Sequence, residues 1–248
     1  MRGNFLTSIV LAAGLSRRMG EENKLLLPFG GMTILEMTLS NILPSQLGET
    51  LVVVGHEAAD IVKVLVKNFT CQISDAQFQE KKSMPKTLKA LLSDEVNKPQ
   101  WGLPPLSIIA QNQLFFEVLL NEEYEKGMTT SIQKGVEAAN DNSLGYMICL
   151  SDMPFITPTE YRFLAQAFFD ILERDKQAIV QPTFEGNRGN PTIFSNFYKK
   201  DILDLTYTEG CKPIVQQHKK HLYLVEMPTD SVVKDIDLRQ EYDRLRQQ

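Results

Sequence analysis

The chain has 248 residues, of which 43% are hydrophobic and 23% are charged, and its formal net charge is −5. This composition can bury a sizeable core, and it argues against a disordered chain, which lacks the apolar mass to offset its ordering entropy. The net negative charge argues against a broad nucleic-acid surface, which needs clustered Lys and Arg, so any phosphate site should be local.

Strands and helices alternate from the N-terminal end of the chain onward. Two short β-branched runs, residues 6–11 and 51–54, end at glycine-containing turns, as expected for strands buried on both faces. Between them a helix is predicted over residues 33–43, with Thr33 as its N-cap. Strand, helix and strand in this order predict a βαβ crossover.

The remaining predicted elements continue this alternation. Further helices are predicted at residues 58–68, 129–140, from Thr157 or Thr159 to 174, 197–205, 212–219 and from 238 onward. Further strands are predicted at residues 115–120, 146–150, 178–182, 192–194 and 222–226. This order predicts a Rossmann-like α/β fold, a mostly parallel central sheet with helices on both faces, whose ligands bind beyond the carboxyl ends of the strands.

The domain organisation predicted from this pattern is simple. We expect residues 1–248 to form a single domain with an insertion at about residues 72–113, where the periodic pattern decays among several prolines. One short helix is predicted inside it, near residues 87–95. The insertion could form a lid or an interface, or have no functional consequence.

Metal clusters and membrane segments are not indicated. Cys71, Cys149 and Cys211 form no CxxC pair, and no run of about 18 apolar residues could cross a bilayer, so a cytoplasmic protein is predicted. His218 and His221 could share a helical face as metal ligands. With lysines between them, however, a solvated surface segment is the better interpretation.

The most informative stretch directly follows the first predicted strand. It contains Leu11-Ala12-Ala13-Gly14, and Arg18 and Lys24 follow. Small residues let backbone N–H groups approach a polyphosphate closely, while the two cations neutralise its charge. The Walker A and GxGxxG patterns are absent. The Ala-Ala-Gly tripeptide alone would indicate only a tight turn, but the assembled pattern predicts a phosphate cradle.

Three aspartates are candidate metal ligands. Asp152 follows the predicted strand at residues 146–150, so its carboxylate should lie at the same sheet edge as the cradle. Asp235 and Asp237 are two residues apart in an extended segment and could face one side. A carboxylate from each region could hold Mg²⁺. Structural roles stay open, because Asp152 could cap a turn and Asp237 could be the N-cap of the last helix.

Two polar groups are candidate substrate contacts. Thr130 and Ser131 open a predicted helix, where hydroxyls and N–H groups either bind ribose and base edges or serve as ordinary caps. Arg188, Gly189 and Asn190 lie in a polar loop that could contact an anionic acceptor. A solvated arginine on a surface loop is the alternative.

Five blocks, in order, resemble the nucleotidyltransferases that attach a nucleotide to molybdopterin, especially the molybdenum cofactor cytidylyltransferases. The blocks are residues 11–28 (LAAGxSxRMG-x-x-K-x-L-L-P, with one extra residue before Lys24), 126–131 (G-M-x-x-S), 151–154 ([GS/A]-D-[MQ]-P), 186–191 (G-x-x-G-H-P) and 235–237 (D-I-D-T-P). The resemblance covers roughly residues 5–70 and 115–245. Asn190 replaces the usual His, Leu238-Arg239 replaces Thr-Pro, and residues 72–113 are extra.

The resemblance implies a Mg²⁺-dependent nucleotidyltransferase that moves CMP from CTP to the phosphate of molybdopterin and releases pyrophosphate. A molybdoenzyme or its chaperone would be a further partner, with neither nucleic acid nor a membrane involved. Catalytic roles fall to Arg18, Lys24 and Asp152; nucleotide binding to Leu11, Ala12, Ala13, Gly14, Lys24, Thr130 and Ser131; acceptor binding to Arg188, Gly189 and Asn190; and metal binding to Asp152 with Asp237, or Asp235 in its place.

Ala13 bears on the choice of nucleotide. Guanylyl-transferring relatives resemble LAGG where this chain has Ala12-Ala13-Gly14, and the extra methyl narrows a purine pocket, which favours CTP by about 1–3 kcal/mol. Two alternatives stay open. One is a sugar- or polyol-phosphate nucleotidyltransferase with the same cradle and metal, and the other is a non-catalytic nucleotide-binding adaptor of the same fold.

Overall fold

A single mixed sheet organises the part of the chain that the structure, a computed structural model, describes: residues 5–15, 22–69, 106–109, 115–206, 208–236 and 242–243. Its strands are Leu6–Ala12 (β1), Gly48–Val54 (β4), Leu106–Ile109 (β5), Phe115–Leu120 (β6), Gly145–Leu150 (β7), Ile179–Phe184 (β8), Asn187–Arg188 (β9), Thr192–Ser195 (β10) and Leu222–Glu226 (β11). Pro28–Phe29 (β2) and Met32–Thr33 (β3) form a separate hairpin.

Helices connect most of these strands. They are Ile34–Ile42 (α1), Ala58–Phe69 (α2), Met128–Ala138 (α3), Pro158–Arg174 (α4), Lys199–Leu203 (α5) and Lys212–Gln217 (α6). Short 3₁₀ helices include Lys24–Leu26, Tyr124–Lys126 and Asp230–Val233. None of the helices in the described ranges is long and apolar enough to cross a membrane.

The sheet order is β11-β8-β10-β7-β1-β4-β6-β5, with β9 paired to β8. Strands β7, β1, β4 and β6 are parallel neighbours, and β8 and β11 also pair in parallel. Strand β10 is antiparallel to β7 and β8, and β5 is antiparallel to β6. The predicted mostly parallel sheet is therefore confirmed.

Helices cover both faces of this sheet, because alternate strand residues point to opposite sides. Val10 of β1 belongs to an apolar cluster that also contains residues of α1, α2 and α4. Its neighbour Ile9 belongs to a second cluster with residues of α3, α5 and α6. Burial on both faces explains why the central strands are almost continuously apolar in sequence.

Two capping boxes define the starts of α1 and α4. The Thr33 hydroxyl accepts a hydrogen bond from Glu36 N, and the Glu36 carboxylate accepts one from Thr33 N. Thr157 and Glu160 form the same arrangement at α4, so Thr157 and not Thr159 is the cap. Each box satisfies backbone N–H groups that the first helical turn leaves without a partner.

The structure departs from the predicted elements in three places. Residues 106–109, inside the predicted insertion, form the edge strand β5, whereas the short helix predicted near residues 87–95 lies outside the described residues. The polar loop before β10 contains the short strand β9. The helix predicted at 197–205 is a 3₁₀ turn, Asn196–Tyr198, followed by α5.

Candidate active site

The carboxyl ends of four parallel strands meet at one edge of the sheet. Ala12 of β1 lies opposite Val54 of β4, Val54 lies opposite Leu120 of β6, and Leu11 lies opposite Leu150 of β7. The segments that follow these residues carry most of the predicted site. Ligands of parallel sheets bind beyond this edge.

The turn after β7 is held in place from both sides. Ser151 Oγ donates to the Leu11 carbonyl oxygen at 2.6 Å, which ties the turn to the end of β1. The Thr38 hydroxyl of α1 donates a hydrogen bond to the Ser151 carbonyl oxygen at 3.1 Å. The position of Asp152, the next residue, is therefore set by both the neighbouring strand and a packed helix.

Lys24 and Asp152 are in direct contact, although 128 residues separate them in sequence. Lys24 Nζ lies 2.5 Å from Asp152 Oδ2, and the two side chains are only 13% and 14% exposed. Asp152 Oδ1 is buried and accepts no hydrogen bond from the residues that the structure describes. Lys24 of the predicted phosphate cradle and the candidate metal ligand Asp152 therefore lie together at the sheet edge.

The late aspartate segment runs alongside Asp152. Ile236 N donates to the Asp152 carbonyl oxygen at 3.0 Å, which places the neighbouring residue Asp235 near this turn. Asp237 and Arg18 lie outside the described residues. Within the described ranges no group of three or more His, Cys, Asp or Glu side chains could hold a metal ion.

The cradle loop begins as a closely packed turn. Ala13 is buried, and its carbonyl oxygen accepts a hydrogen bond from His56 N at 3.4 Å. A Cβ added at Gly55 would lie 2.9 Å from Ala13 Cβ and 2.5 Å from Tyr124 Cβ, so the Ala13 methyl packs beside Gly55. A Cβ added at Gly14 would contact none of the described residues within 4 Å. The turn is therefore tightly packed at Ala13.

Asn121, which follows β6, organises the start of α3. Its amide nitrogen donates to both Thr130 Oγ1 and Ser131 Oγ at 2.9 Å, and its Oδ1 accepts from Glu123 N at 3.0 Å. Asn121 is 4% exposed. The N-cap of α3 is Gly127, which has no side chain, so Thr130 and Ser131 do not cap this helix. The available sequence signal for Asn121 was its place directly after a buried strand.

Replacing Asn121 with Ala should weaken nucleotide binding about tenfold, or about 1.4 kcal/mol, because the Ser131 hydroxyl loses the amide that orients it, whereas Thr130 keeps its bonds to the Glu123 and Gly127 carbonyl oxygens. Isothermal titration with an unreactive nucleoside triphosphate analogue measures this effect. The exposed Asn142→Ala is the matched control and should bind like the parent protein. Equal dissociation constants for all three proteins would contradict the orienting role.

The predicted acceptor loop is anchored to the late segment. Gly189 N donates to the Pro182 carbonyl oxygen at 2.8 Å, and Asn190 N donates to the Val232 carbonyl oxygen at 2.9 Å. Arg188 is exposed in the short strand β9. Because Val232 lies four residues before Ile236, the same segment contacts the acceptor loop and the Asp152 turn.

Glu160 ties this late segment to the start of α4. Its Oε1 accepts hydrogen bonds from Thr229 Oγ1 at 2.5 Å and Ser231 Oγ at 2.8 Å, while its Oε2 accepts two from Thr157. Burial raises the pKa of the Glu160 carboxyl, but the hydrogen bonds from Thr229, Thr157 and Ser231 outweigh burial and leave the pKa below its ordinary value. The ionised form is therefore the one that the fold stabilises.

A Glu160→Gln substitution should cost about 2 kcal/mol of unfolding free energy at pH 7, since an amide nitrogen cannot accept the bonds that one carboxylate oxygen now receives. A lowered folded-state pKa stabilises the protein above the unfolded-state pKa of about 4.3, and this stabilisation is lost as pH falls through the folded-state value. The difference in unfolding free energy between the parent protein and Glu160→Gln, measured by urea unfolding, should thus be smaller at pH 3.5 than at pH 7. The exposed Glu173→Gln in the same helix is the control, and a constant difference at both pH values would contradict the assignment.

The two histidines are not simply solvated. His221 Nδ1 lies 2.7 Å from Asp175 Oδ2, with side chains 16% and 14% exposed, and the His218 ring packs edge-on against Tyr198 at 5.1 Å. The segment lies at the surface, as predicted, since Lys219–His221 has no buried residue and the two lysines are exposed, but both histidine rings are only partly exposed. They lie in the segment between α6 and β11 and take no part in the candidate site.

These features define an α/β protein whose candidate site lies at the carboxyl edge of its parallel strands. A family model described as the MobA-like NTP transferase domain matches residues 8–222. The match spans most of the chain, which therefore belongs to this family and is a nucleotidyltransferase with a nucleotide substrate.

The chain is also similar to individual proteins. The chain is 25% identical to purine catabolism protein PucB of Bacillus subtilis over 99% of this chain and 98% of PucB. It shares its fold with Rv0371c of Mycobacterium tuberculosis H37Rv (TM-score 0.68, 17% identity, 99% of each chain), which has also been solved as a manganese complex (TM-score 0.59, 17% identity, 98% and 99% coverage). A nucleotidyl transferase from Methanothermobacter thermautotroptrophicus is similar too (TM-score 0.67, 20% identity, 99% and 97% coverage).

Proposed function

We propose that the protein transfers CMP from CTP to the phosphate of molybdopterin and releases pyrophosphate, with Mg²⁺ as its ion. An oxygen of the acceptor phosphate attacks the α-phosphorus, a phosphoanhydride bond forms, and the bond to the bridging oxygen of pyrophosphate breaks. The observation that carries this proposal is the contact between Lys24 and Asp152, beside the end of β1. A phosphate-binding cation and a carboxylate thus converge where the nucleotide phosphates would lie.

Asp152 suits a hard divalent ion. Its Oδ1 is buried and receives no hydrogen bond from the described part of the chain, and carboxylate oxygens are the ligands that Mg²⁺ prefers. Asp237 is the proposed second ligand, with Asp235 as the alternative, because Ile236 between them is hydrogen-bonded to the Asp152 backbone. The manganese complex of Rv0371c, a protein of the same fold, supports a divalent ion. When bound, the ion would stabilise negative charge on the reacting phosphates.

The other side chains divide between the two substrates. Lys24 and Arg18 would neutralise the triphosphate, with the backbone of Leu11-Ala12-Ala13-Gly14 approaching it closely. The Thr130 and Ser131 hydroxyls would bind the nucleoside. The acceptor phosphate would lie near Arg188 and Gly189-Asn190. A phosphate monoester has a second pKa of about 6, so it is largely ionised at neutral pH and needs no general base.

The preference for CTP rests on Ala13. Its buried methyl group lies beside Gly55, and we propose that it leaves less room for a purine than a glycine would at the same position. One methyl group changes discrimination by about 1–3 kcal/mol, so GTP should be a poorer substrate and not an excluded one. We also propose that residues 1–248 form a single domain and that the reaction takes place in the cytoplasm, where the product would pass to a molybdoenzyme or its chaperone.

Product analysis tests the function directly. The purified protein is incubated with Mg²⁺ and CTP, GTP or UTP, each with molybdopterin or a sugar 1-phosphate, and pyrophosphate release and product mass are measured. We expect release with CTP and molybdopterin, and none after chelation of the ion. A sugar nucleotide as the sole product would overturn the acceptor. Nucleotide binding without pyrophosphate release for any pair would indicate an adaptor.

A further inference from the structure

The Lys24–Asp152 ion pair is shielded from solvent and well anchored. With side chains only 13% and 14% exposed, the two charges are weakly screened by salt. The backbone beneath Lys24 is fixed, because Lys24–Leu26 forms a 3₁₀ helix in which Asn23 Oδ1 accepts from Leu25 N and Leu25 is 2% exposed. The ammonium group can therefore leave Asp152 by rotation of its own side chain, without movement of the backbone.

A divalent ion at Asp152 would compete electrostatically with the Lys24 ammonium, although only Oδ2 contacts Lys24 and Oδ1 receives no hydrogen bond from the described residues. Lys24 Nζ lies 2.5 Å from Oδ2, and a hard ion binds carboxylate oxygens at about 2.1–2.5 Å. An ion bound to either oxygen of Asp152 would lie within a few ångströms of the ammonium in a partly buried space, where like charges repel strongly. Occupation by one cation therefore disfavours the other.

We propose that Lys24 and the divalent ion are alternative occupants of the Asp152 carboxylate, and that the ion displaces the ammonium onto the nucleotide triphosphate. This inference rests on the proposed function. Before substrate binds, Lys24 neutralises Asp152; with substrate present, the triphosphate becomes the counter-charge for Lys24 and Asp152 becomes a metal ligand. The consequence is positive coupling, in which the ion alone binds weakly and the ion and nucleotide bind tightly together.

Manganese binding without turnover tests the exchange. The dissociation constant for Mn²⁺ is measured by electron paramagnetic resonance of the free ion, with and without an unreactive CTP analogue. In the absence of nucleotide, Lys24→Gln should bind Mn²⁺ about tenfold more tightly than the parent protein, because the competing charge is gone. With the analogue present, Lys24→Gln should bind Mn²⁺ no more tightly than the parent protein. In the parent, Lys24 has then moved from Asp152 to the triphosphate, and the variant lacks the ammonium that stabilises the triphosphate.

Two further variants complete the experiment. Lys199→Gln removes the lysine of another Lys–Asp pair, whose Nζ lies 3.0 Å from Asp141, and should bind Mn²⁺ like the parent protein. Asp152→Asn should bind Mn²⁺ weakly in every condition. If Lys24→Gln binds Mn²⁺ no more tightly than the parent while Asp152→Asn loses it, the exchange is overturned and the metal assignment stands. If Asp152→Asn retains full Mn²⁺ affinity, the metal ligand of the proposed function is wrong as well.

Discussion

Replacing Asp152 with Asn should lower the rate of pyrophosphate release about 10³-fold while the protein remains folded. The carboxylate is the proposed ligand of the divalent ion, and loss of one preorganised electrostatic contact at a reacting centre typically costs 10²–10³ in rate. The fold should survive because the Asn oxygen can still accept the hydrogen bond from Lys24 Nζ. The backbone bonds of the turn, such as the one from Ile236 N, do not involve the side chain.

Steady-state kinetics with a thermal melt of the same sample check this prediction. The matched control is Asp141→Asn, since Asp141 also pairs with a lysine but its side chain is 92% exposed. We expect this control to retain the parent rate. Turnover of Asp152→Asn within tenfold of the parent, with both proteins folded, would remove Asp152 from the catalytic site.

A Gly189→Ala substitution should destabilise the protein by about 3 kcal/mol and weaken acceptor binding. A Cβ at this position would lie 2.2 Å from the Val232 carbonyl oxygen and 2.7 Å from its carbonyl carbon. Both are backbone atoms, and the Val232 side chain is fully buried, so they cannot move without disturbing the packing around them. The hydrogen bond from Asn190 N to the same carbonyl should be lost as the loop shifts.

Calorimetry and kinetics on Gly189→Ala separate the two expected effects. A loss of about 3 kcal/mol corresponds to a drop of about 6–12 °C in Tm for a chain of this size. The KM for the acceptor should rise more than the KM for the nucleotide. Gly186→Ala is the control: it has φ of +79° but open space around the added Cβ, so only a backbone cost of about 1–2 kcal/mol is expected. If Gly189→Ala has the same Tm as the parent protein, the close approach of Gly189 to the Val232 carbonyl group is contradicted.

The order and type of most elements follow from local chemistry. Strands β1, β4 and β7 are buried on both faces, so their apolar runs are continuous and easily recognised. Thr33 and Thr157 each form a capping box with a glutamate three residues later, so the starts of these helices depend on residues that are close in sequence. These are interactions between residues close in sequence, and a single chain pattern is enough to predict them.

The direction of β10 and the role of β5 were not predictable in this way. Strand β10 is a short apolar run like its neighbours, and its antiparallel direction depends on how the preceding loop turns against Val232. Strand β5 lies among prolines and pairs only at the edge of the sheet, so its own periodicity is weak. Arg18 and Asp237 remain predictions from motif order alone.

By itself, the sequence determined the α/β class, the alternation of elements and the five ordered blocks that place small residues, cations and carboxylates after buried strands. Only the tertiary structure decided which of these side chains meet. It paired Lys24 with Asp152, placed Asn121 beneath Thr130 and Ser131, and tied Glu160 to Thr229 and Ser231. The physical reason is distance along the chain: packing of helices and strands brings these partners together, and no local periodicity records which distant residue will stand within hydrogen-bonding reach.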